Sequence, residues 1–410
     1  MKRVAAGRWP RVILLTDMDA FFASVEQVDH PEWRTRPVAL TNGKVGTCII
    51  TCSYEARACG VKTGMHIEEA KRLCPDLIHA GSRPRRYAEV SSNIMAALTR
   101  FTPDIEIFSV DEAFMDVTRC QALWGSPREI GLAVKQTVFE NSGVHCSVGV
   151  SGDKTTAKFA AKQDKPNGLT VIEPWQAGNR LAEAPISELC GVNTGIAGML
   201  ARHGVHYCAD LQRLPISVLG KRFGNPGRRI WLMAQGLDPE PVRATLPSVK
   251  SIGHGKVLPP NTRDPDIIRT YLLHMAHKLA ARLRNNGLVA QQFLVALRLY
   301  RGWLQTKVRS LLPSDDERVI YRLARHWFDQ NWRRQGIWQL RIVALDPAEP
   351  RQSDLFNRKH PQRSRANLAT DEINQRFGDF TLAPARLLGR SSMPDVISPA
   401  WKPSGHRKSV

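Results

Sequence analysis

Three acidic residues stand out by type and surroundings: Asp17, at the end of the apolar run Arg11 to Thr16, and the adjacent pair Asp111 and Glu112. Carboxylates are hard oxygen ligands, and Mg²⁺ prefers carboxylate oxygens, phosphate oxygens and water. A strand-end Asp with an Asp-Glu pair in a hairpin turn offers the donor set for two such ions. One would lower the pKa of an attacking hydroxyl and the other clamp a triphosphate, stabilising entering and leaving oxygens in line. Isolated DxD and DE pairs are also common in surface loops, so their flanks must decide between chemistry and solvation.

The elements around them are legible. Arg11 to Thr16 reads as a strand delivering Asp17, Met18 and Asp19, and Phe21 to Val28 reads as a helix. Ile105 to Val117 alternates as a hairpin whose turn carries Asp111 and Glu112, and Cys146 to Val150 supplies another strand. An Ala- and Lys-rich helix, Lys154 to Gln163, is closed by Pro166-Asn-Gly168 before a strand at Leu169. Pro37 to Pro75 looks like a small inserted subdomain with a helix over Ile67 to Leu73. Pro174 to about Asp238 turns helical, and a linker of about 239–250 follows.

A fresh module opens with Asp264 as N-cap and Pro265 as first helical residue, placing Ile268, Tyr271, Leu272, Met275, Leu279 and Leu283 on one face up to Gly287. Three strands follow, Gln292 to Tyr300, Leu304 to Leu311 and Ile337 to Leu345, with a helix near Asp316 to Arg333. Along Leu304 to Arg309, Leu304, Thr306 and Val308 share one face and Gln305, Lys307 and Arg309 the other, which faces solvent or phosphate. After Pro350 the chain is polar and basic, with Asp371 to Phe377 as a candidate short helix.

With 410 residues, the chain is expected to hold two to four domains. Lys and Arg outnumber Asp and Glu by 58 to 38, a net +20 that favours a polyanion such as nucleic acid as partner. An anionic membrane would attract the same charge, but no apolar run is long enough to span a bilayer. The eight cysteines form no metal-ligand or redox spacing and read as reduced thiols. Val12 to Leu15 is too short for a secretory core, so a cytoplasmic location is expected.

Five strings occur in order: Asp17-Met-Asp-Ala-Phe-Phe-Ala-Ser-Val-Glu26, Ser53-Tyr-Glu-Ala-Arg57, Phe108-Ser-Val-Asp-Glu-Ala-Phe114, Cys146-Ser-Val-Gly-Val-Ser151 and Lys165-Pro-Asn-Gly168. In order and spacing they resemble the Y-family DNA polymerases, most closely the DinB (polymerase IV) type, over residues 10–345. The resemblance implies an α+β multidomain fold: palm over 10–22 and 82–172, fingers over 23–81, and helical thumb over 173–238. After the linker come a little finger over 251–346 and a tail over 347–410. It implies template-directed DNA synthesis with two Mg²⁺, replaceable by Mn²⁺, in translesion synthesis during damage tolerance.

By the same resemblance, Asp17, Asp111 and Glu112 are the metal carboxylates, with the Met18 carbonyl as a further ligand. Tyr54, Arg57 and Lys165 are the triphosphate clamp; a phenol, a guanidinium fork and a point charge all suit phosphate oxygens. Phe22 resembles the steric gate that selects deoxynucleotides, an ordinary core ring being the alternative, while Phe21 reads as core. Asp19 and Asp116 have no assigned role, and Cys48 and Ile50 fall in the roof over the new base pair.

Glu188 to Gly195 resembles a helix-hairpin-helix, whose turn at Gly191 and Asn193 would hold a DNA phosphate. Asn193 stands where the pattern usually has a second Gly, a departure the turn would survive because Asn tolerates left-handed backbone. Arg298, Lys307 and Arg309 would lay the little-finger sheet on primer-template DNA. Gln352-Ser-Asp-Leu-Phe356 resembles the peptide by which bacterial polymerases bind the sliding clamp (beta), with Gln352 at the pocket rim and Leu355 and Phe356 as apolar anchor. A monomer is expected. The alternative from another class is a catalytically inactive relative linking DNA, the clamp and another polymerase, which would be expected to lack metal carboxylates.

Overall fold

A computed structural model describes residues 7, 9–43, 47–245, 249–350 and 360–389. The fold is α+β and multidomain, and the chain divides into two compact units between Leu246 and Pro247.

The first unit is organised around β1 (Ile13–Met18), every residue of which is buried. A small sheet follows from β2 (Val38–Thr41), β3 (Ile49–Cys52) and β4 (Ile78–Gly81), in the order β3-β2-β4. The hairpin β5 (Ile105–Ile107) and β6 (Glu112–Asp116), then β7 (Cys146–Ser151) and β8 (Leu169–Val171), complete a larger sheet in the order β5-β6-β1-β7-β8. The central β1 is antiparallel to both neighbours, with Asp17 opposite Glu112 on one side and Ser147 on the other. Glu112 therefore opens β6 instead of lying in the turn, because its carbonyl accepts from the amides of Phe108 and Ser109 and closes the loop in front of it.

Helix α1 (Phe21–Asp29), α2 (Tyr54–Ala58), α3 (Pro84–Leu98), α4 (Pro127–Ser142) and α5 (Lys154–Gln163) surround these sheets. The main core joins alternate β1 residues, Leu14 and Met18, to Phe21, Val25, Ile94, Val134 and Val148. Helix α5 lies hard against β7: a Cβ on Gly149 would fall 2.0 Å from the carbonyl oxygen of Ala157. Four short helices, among them α6 (Thr194–Ala201), make a separate cluster around Leu200, Leu211 and Leu219. The helix expected over Ile67 to Leu73 is present, and all eight cysteines are free.

The second unit is a four-stranded antiparallel sheet covered by α7 (Pro265–Asn285) and α8 (Glu317–Asn331). Its strands are β9 (Ser251–Thr262), β10 (Ala290–Leu299), β11 (Gly302–Ser314) and β12 (Ile337–Leu345), in the order β11-β10-β12-β9. Asp264 caps α7 by accepting from the amides of Asp266 and Ile267, and the six apolar residues predicted to share a face are buried. Strand β9 corrects the sequence reading, which placed the module's opening at Asp264. Its Gly253, Gly255, Pro259 and Pro260 hide a strand signature. β9 is an edge strand, where proline is tolerated, and Cβ atoms on Gly253 and Gly255 would press on Val343 and Arg341 of β12.

The tail also differs from expectation. Helix α9 (His360–Phe377) begins eleven residues before the predicted Asp371, and its Asp371 accepts two hydrogen bonds from Arg284 of α7. A basic, polar segment thus packs through ion pairs, with Leu387 of the following turn fully buried.

Candidate active site

The end of β1 and the start of β6 bring the predicted carboxylates to one place. The amide of Met18 donates to the carbonyl of Asp111 at 2.9 Å, locking the loop before β6 to the strand that carries Asp17. Asp17 is 8 % exposed, and its carboxyl is pushed up to about 7. Burial is the main cause; the ammonium of Lys165 opposes it, while the negative charges of Glu112 and Asp111 add to it. Burial likewise raises Asp111 above the ordinary carboxylate range, against the Ser109 hydroxyl that donates to it at 2.6 Å.

Each outer carboxylate has a lysine partner. Lys165 pairs with Asp17, and Lys158 of α5 pairs with Glu112 at 2.7 Å while lying 4.4 Å from the centre of the Phe108 ring. Lys154, one turn earlier, holds Glu106 of β5. Among the described residues no three His, Cys, Asp or Glu side chains are gathered closely enough to hold a metal ion. The donor chemistry nonetheless fits a hard divalent cation: acid side chains held against burial and against one another, with cationic groups as counterions.

Asp19, unassigned from sequence, is 3 % exposed and ties the site together. It accepts from the Ser147 hydroxyl at 2.9 and 3.1 Å, from the Asn167 amide at 2.7 Å and from the Tyr54 hydroxyl at 3.4 Å. The Lys165–Gly168 loop is thereby fastened to the end of β1. Gly168 is dictated by space, since a Cβ there would fall 1.7 Å from the Asp164 carbonyl oxygen. Asp116 is remote in role: it accepts from the amide and hydroxyl of Thr118 at the far end of β6.

Tyr54 opens α2 behind the Ser53 cap, and the Arg57 guanidinium lies 4.7 Å from its ring centre. Burial pushes the Tyr54 phenol up to about 12, so it stays a neutral donor. Arg57 also donates to the Cys52 carbonyl. Phe22 and Tyr54 join Ile50 around Ala20, Ala23 and Leu40. Phe22 is half-buried and stacked on Tyr87 at 4.4 Å, whereas Phe21 is a core ring at 3 % exposure. Tyr87 donates to the buried Glu26, which Arg83 holds with three hydrogen bonds. Sequence reasoning passed over this support because its members are spread from 26 to 87.

The remaining predicted residues lie elsewhere. Gly191 has a left-handed backbone (φ 87°) in the turn before α6. Asn193 corrects the expectation: its φ of −87° is extended backbone, and its side chain accepts from the Ile196 amide as the N-cap of α6. In the second unit Arg298, Lys307 and Arg309 share the sheet face opposite the core, as the registers Arg298↔Trp303, Leu294↔Lys307 and Gln292↔Arg309 require. Arg341 and Trp303 belong to the same face and were not predicted; the Arg341 and Arg298 guanidiniums lie 4.5 and 5.7 Å from the Trp303 ring centre. The alternation of β12 carried that signal. Gln352, Leu355 and Phe356 lie outside the described residues.

Residues 16–162 match the impB/mucB/samB family, and 249–355 match that family's C-terminal domain. The chain is 36 % identical to DNA polymerase IV of Moorella thermoacetica, with 90 % of this chain and 94 % of the relative covered. It is 30 % identical to DNA polymerase IV 2 of Bacillus subtilis over 97 % of this chain and 99 % of that one. A solved Y-family DNA polymerase chimera superposes with a TM-score of 0.71 at 28 % identity, covering 83 % of this chain and all of the other. No helix among the described residues is long and apolar enough to cross a membrane. The carboxylate site thus stands in a chain that belongs to the DinB-type Y-family polymerases and is a DNA-directed DNA polymerase.

Proposed function

We propose that this chain adds deoxynucleotides to a primer 3′-hydroxyl through Asp17, Asp111 and Glu112, as a translesion enzyme of damage tolerance. The observation that carries the reading is the β1–β6 register that sets Asp17 beside Glu112, with Asp111 fixed to Met18 by a backbone hydrogen bond. Two Mg²⁺, or Mn²⁺ in their stead, would supply charge neutralisation and activation of the hydroxyl when bound. Asp17, Asp111, Glu112 and the Met18 carbonyl are the residues that would hold them. Lys165, with Tyr54 and Arg57, would take triphosphate oxygens. Phe22, backed by the Tyr87 ring, would meet the sugar and exclude a 2′-hydroxyl.

Residues 10–22 with 82–172 serve in this reading as palm, 23–81 as fingers, 173–238 as thumb and 251–346 as little finger. The Gly191–Asn193 turn and the first turn of α6 would meet a phosphate through backbone amides, with that of Ile196 already taken by the Asn193 side chain. Arg298, Lys307 and Arg309, with Arg341 and Trp303, would carry the template duplex. Residues 352–356 would bind the sliding clamp of a monomeric, cytoplasmic enzyme.

Extension of a labelled primer with Mg²⁺, on undamaged and abasic templates, tests the reading against Asp111→Ala plus Glu112→Ala. Extension that vanishes in the double variant supports it, and bypass of the abasic site supports the translesion part. A folded, DNA-binding wild type that extends nothing would point to the accessory role instead.

A further inference from the structure

The second unit contains a cleft of about 600 Å³ on its helical side, between α7, α8 and the tail helix α9. Five guanidinium groups line it, those of Arg284, Arg318, Arg322, Arg325 and Arg363. Three have carboxylate partners: Arg284 holds Asp371, Arg325 holds Asp329, and Arg363 holds Asp316 and Glu317. Arg318 and Arg322 have none among the described residues, although they stand one turn apart on α8, where like charges destabilise a helix. Asn367 of α9 also lines the cleft, at 7 % exposure. Tyr321 contributes to the wall as well, its hydroxyl enclosed by protein and without a partner among the described residues. Leu273, Leu382 and Pro384 supply apolar wall.

Two exposed guanidiniums without a carboxylate partner, on a cleft wall that carries three more, are cationic donors that an acceptor-rich anion would pair with. By sequence, residues 351–359 and 390–410 are net basic, with Asp354 and Asp395 as their acidic residues. We propose that this cleft is a second anion site of the enzyme, binding phosphate groups, either of a single nucleic-acid strand or of a free polyphosphate ligand. Guanidinium forks pair two at a time with carboxylate and phosphate alike; phosphate is favoured because one group gathers more charge and more acceptor oxygens than a carboxylate does. The site is separate from the sheet face that carries Arg298 and Lys307, since α7 and α8 cover the opposite face of that sheet.

The test uses the full chain in EDTA with two probes, a fluorescein-labelled oligothymidylate followed by anisotropy and inorganic tripolyphosphate followed by calorimetry. The variants are Arg318→Gln plus Arg322→Gln, and Asn367→Leu, which changes no charge. With the strand as ligand, the charge variant should weaken binding at least tenfold. It should also flatten the slope of log affinity against log salt by about 1.4, from roughly 0.7 per neutralised phosphate. Asn367→Leu should weaken binding severalfold at an unchanged slope. Losses confined to the oligonucleotide assign a strand, and losses confined to tripolyphosphate assign a free ligand. Binding of both probes retained by both variants would overturn the proposal. So would weakening by the charge variant alone, which is diffuse electrostatics, or preference for poly-glutamate over either phosphate probe. Primer extension, which depends on the carboxylate site, should survive in both variants and shows that they fold.

Discussion

At the residue scale the site is governed by carboxylates kept where charge is unwelcome. Asp17 loses its proton near 3.8 in the unfolded chain and near 7 in the folded one. Between those values the native state holds the extra proton, so this group's contribution to stability is full below about pH 4 and is lost as pH rises to about 7. A cation needs the ionised form, so uptake of Mg²⁺ with a deoxynucleoside triphosphate should release protons at pH 6.5 and few at pH 9. Calorimetric titration in two buffers of different ionisation heat counts them, and a count of zero at pH 6.5 would sink the argument. Asp19 acts through structure. Asp19→Ala would take from the buried Ser147 hydroxyl its acceptor and release the Asn167 amide, a loss of about 1–3 kcal/mol in urea denaturation. Asp116→Ala, at a half-exposed turn, should cost about 1 kcal/mol or less.

At the scale of elements the decisive contact is α5 on β7. Gly149→Ala places a methyl 2.0 Å from a backbone carbonyl, and neither strand nor helix can yield without moving the lysines of α5 away from Glu106 and Glu112. Destabilisation of about 3 kcal/mol or more follows, read as a lower melting temperature together with slower primer extension. If Gly149→Ala melted like the wild type, the close packing would be refuted. Elements with strong periodicity or caps were legible beforehand: α7 announces itself by Asp264, Pro265 and its apolar stripe, and β11 by strict alternation. What escaped depended on partners. β9 is a strand because β12 has an open edge beside it and its glycines fit against Val343 and Arg341. Helix α9 holds through Arg284 and Asp371, 87 positions apart, a pairing that no local window contains. The carboxylates were readable from their flanking strings, whereas the lysines on them, Asp19's four contacts and the true backbone of Asn193 required the fold.

At the scale of the whole molecule, charge and chemistry are separated. The second unit's sheet face opposite its helices carries Arg298, Arg341, Lys307 and Arg309, part of the chain's net +20. Replacing Arg298 and Arg341 together by Ala should lower the salt slope of duplex binding by about 1.8 whatever the DNA sequence, from roughly 0.9 per phosphate. Filter binding over a salt series measures it, and a slope equal to the wild type would remove these residues from the interface. Each unit has its own hydrophobic core, one around Leu14, Ile94 and Val148 and the other around Leu272, Phe293 and Ile342. With the second unit's sheet face holding the template, as proposed, grip and reaction would be separately heritable. A change on the outer face of β10 to β12 would then alter how long the enzyme dwells on a template while leaving its error rate at each step untouched, so dwell time and accuracy could be selected by different mutations in one chain.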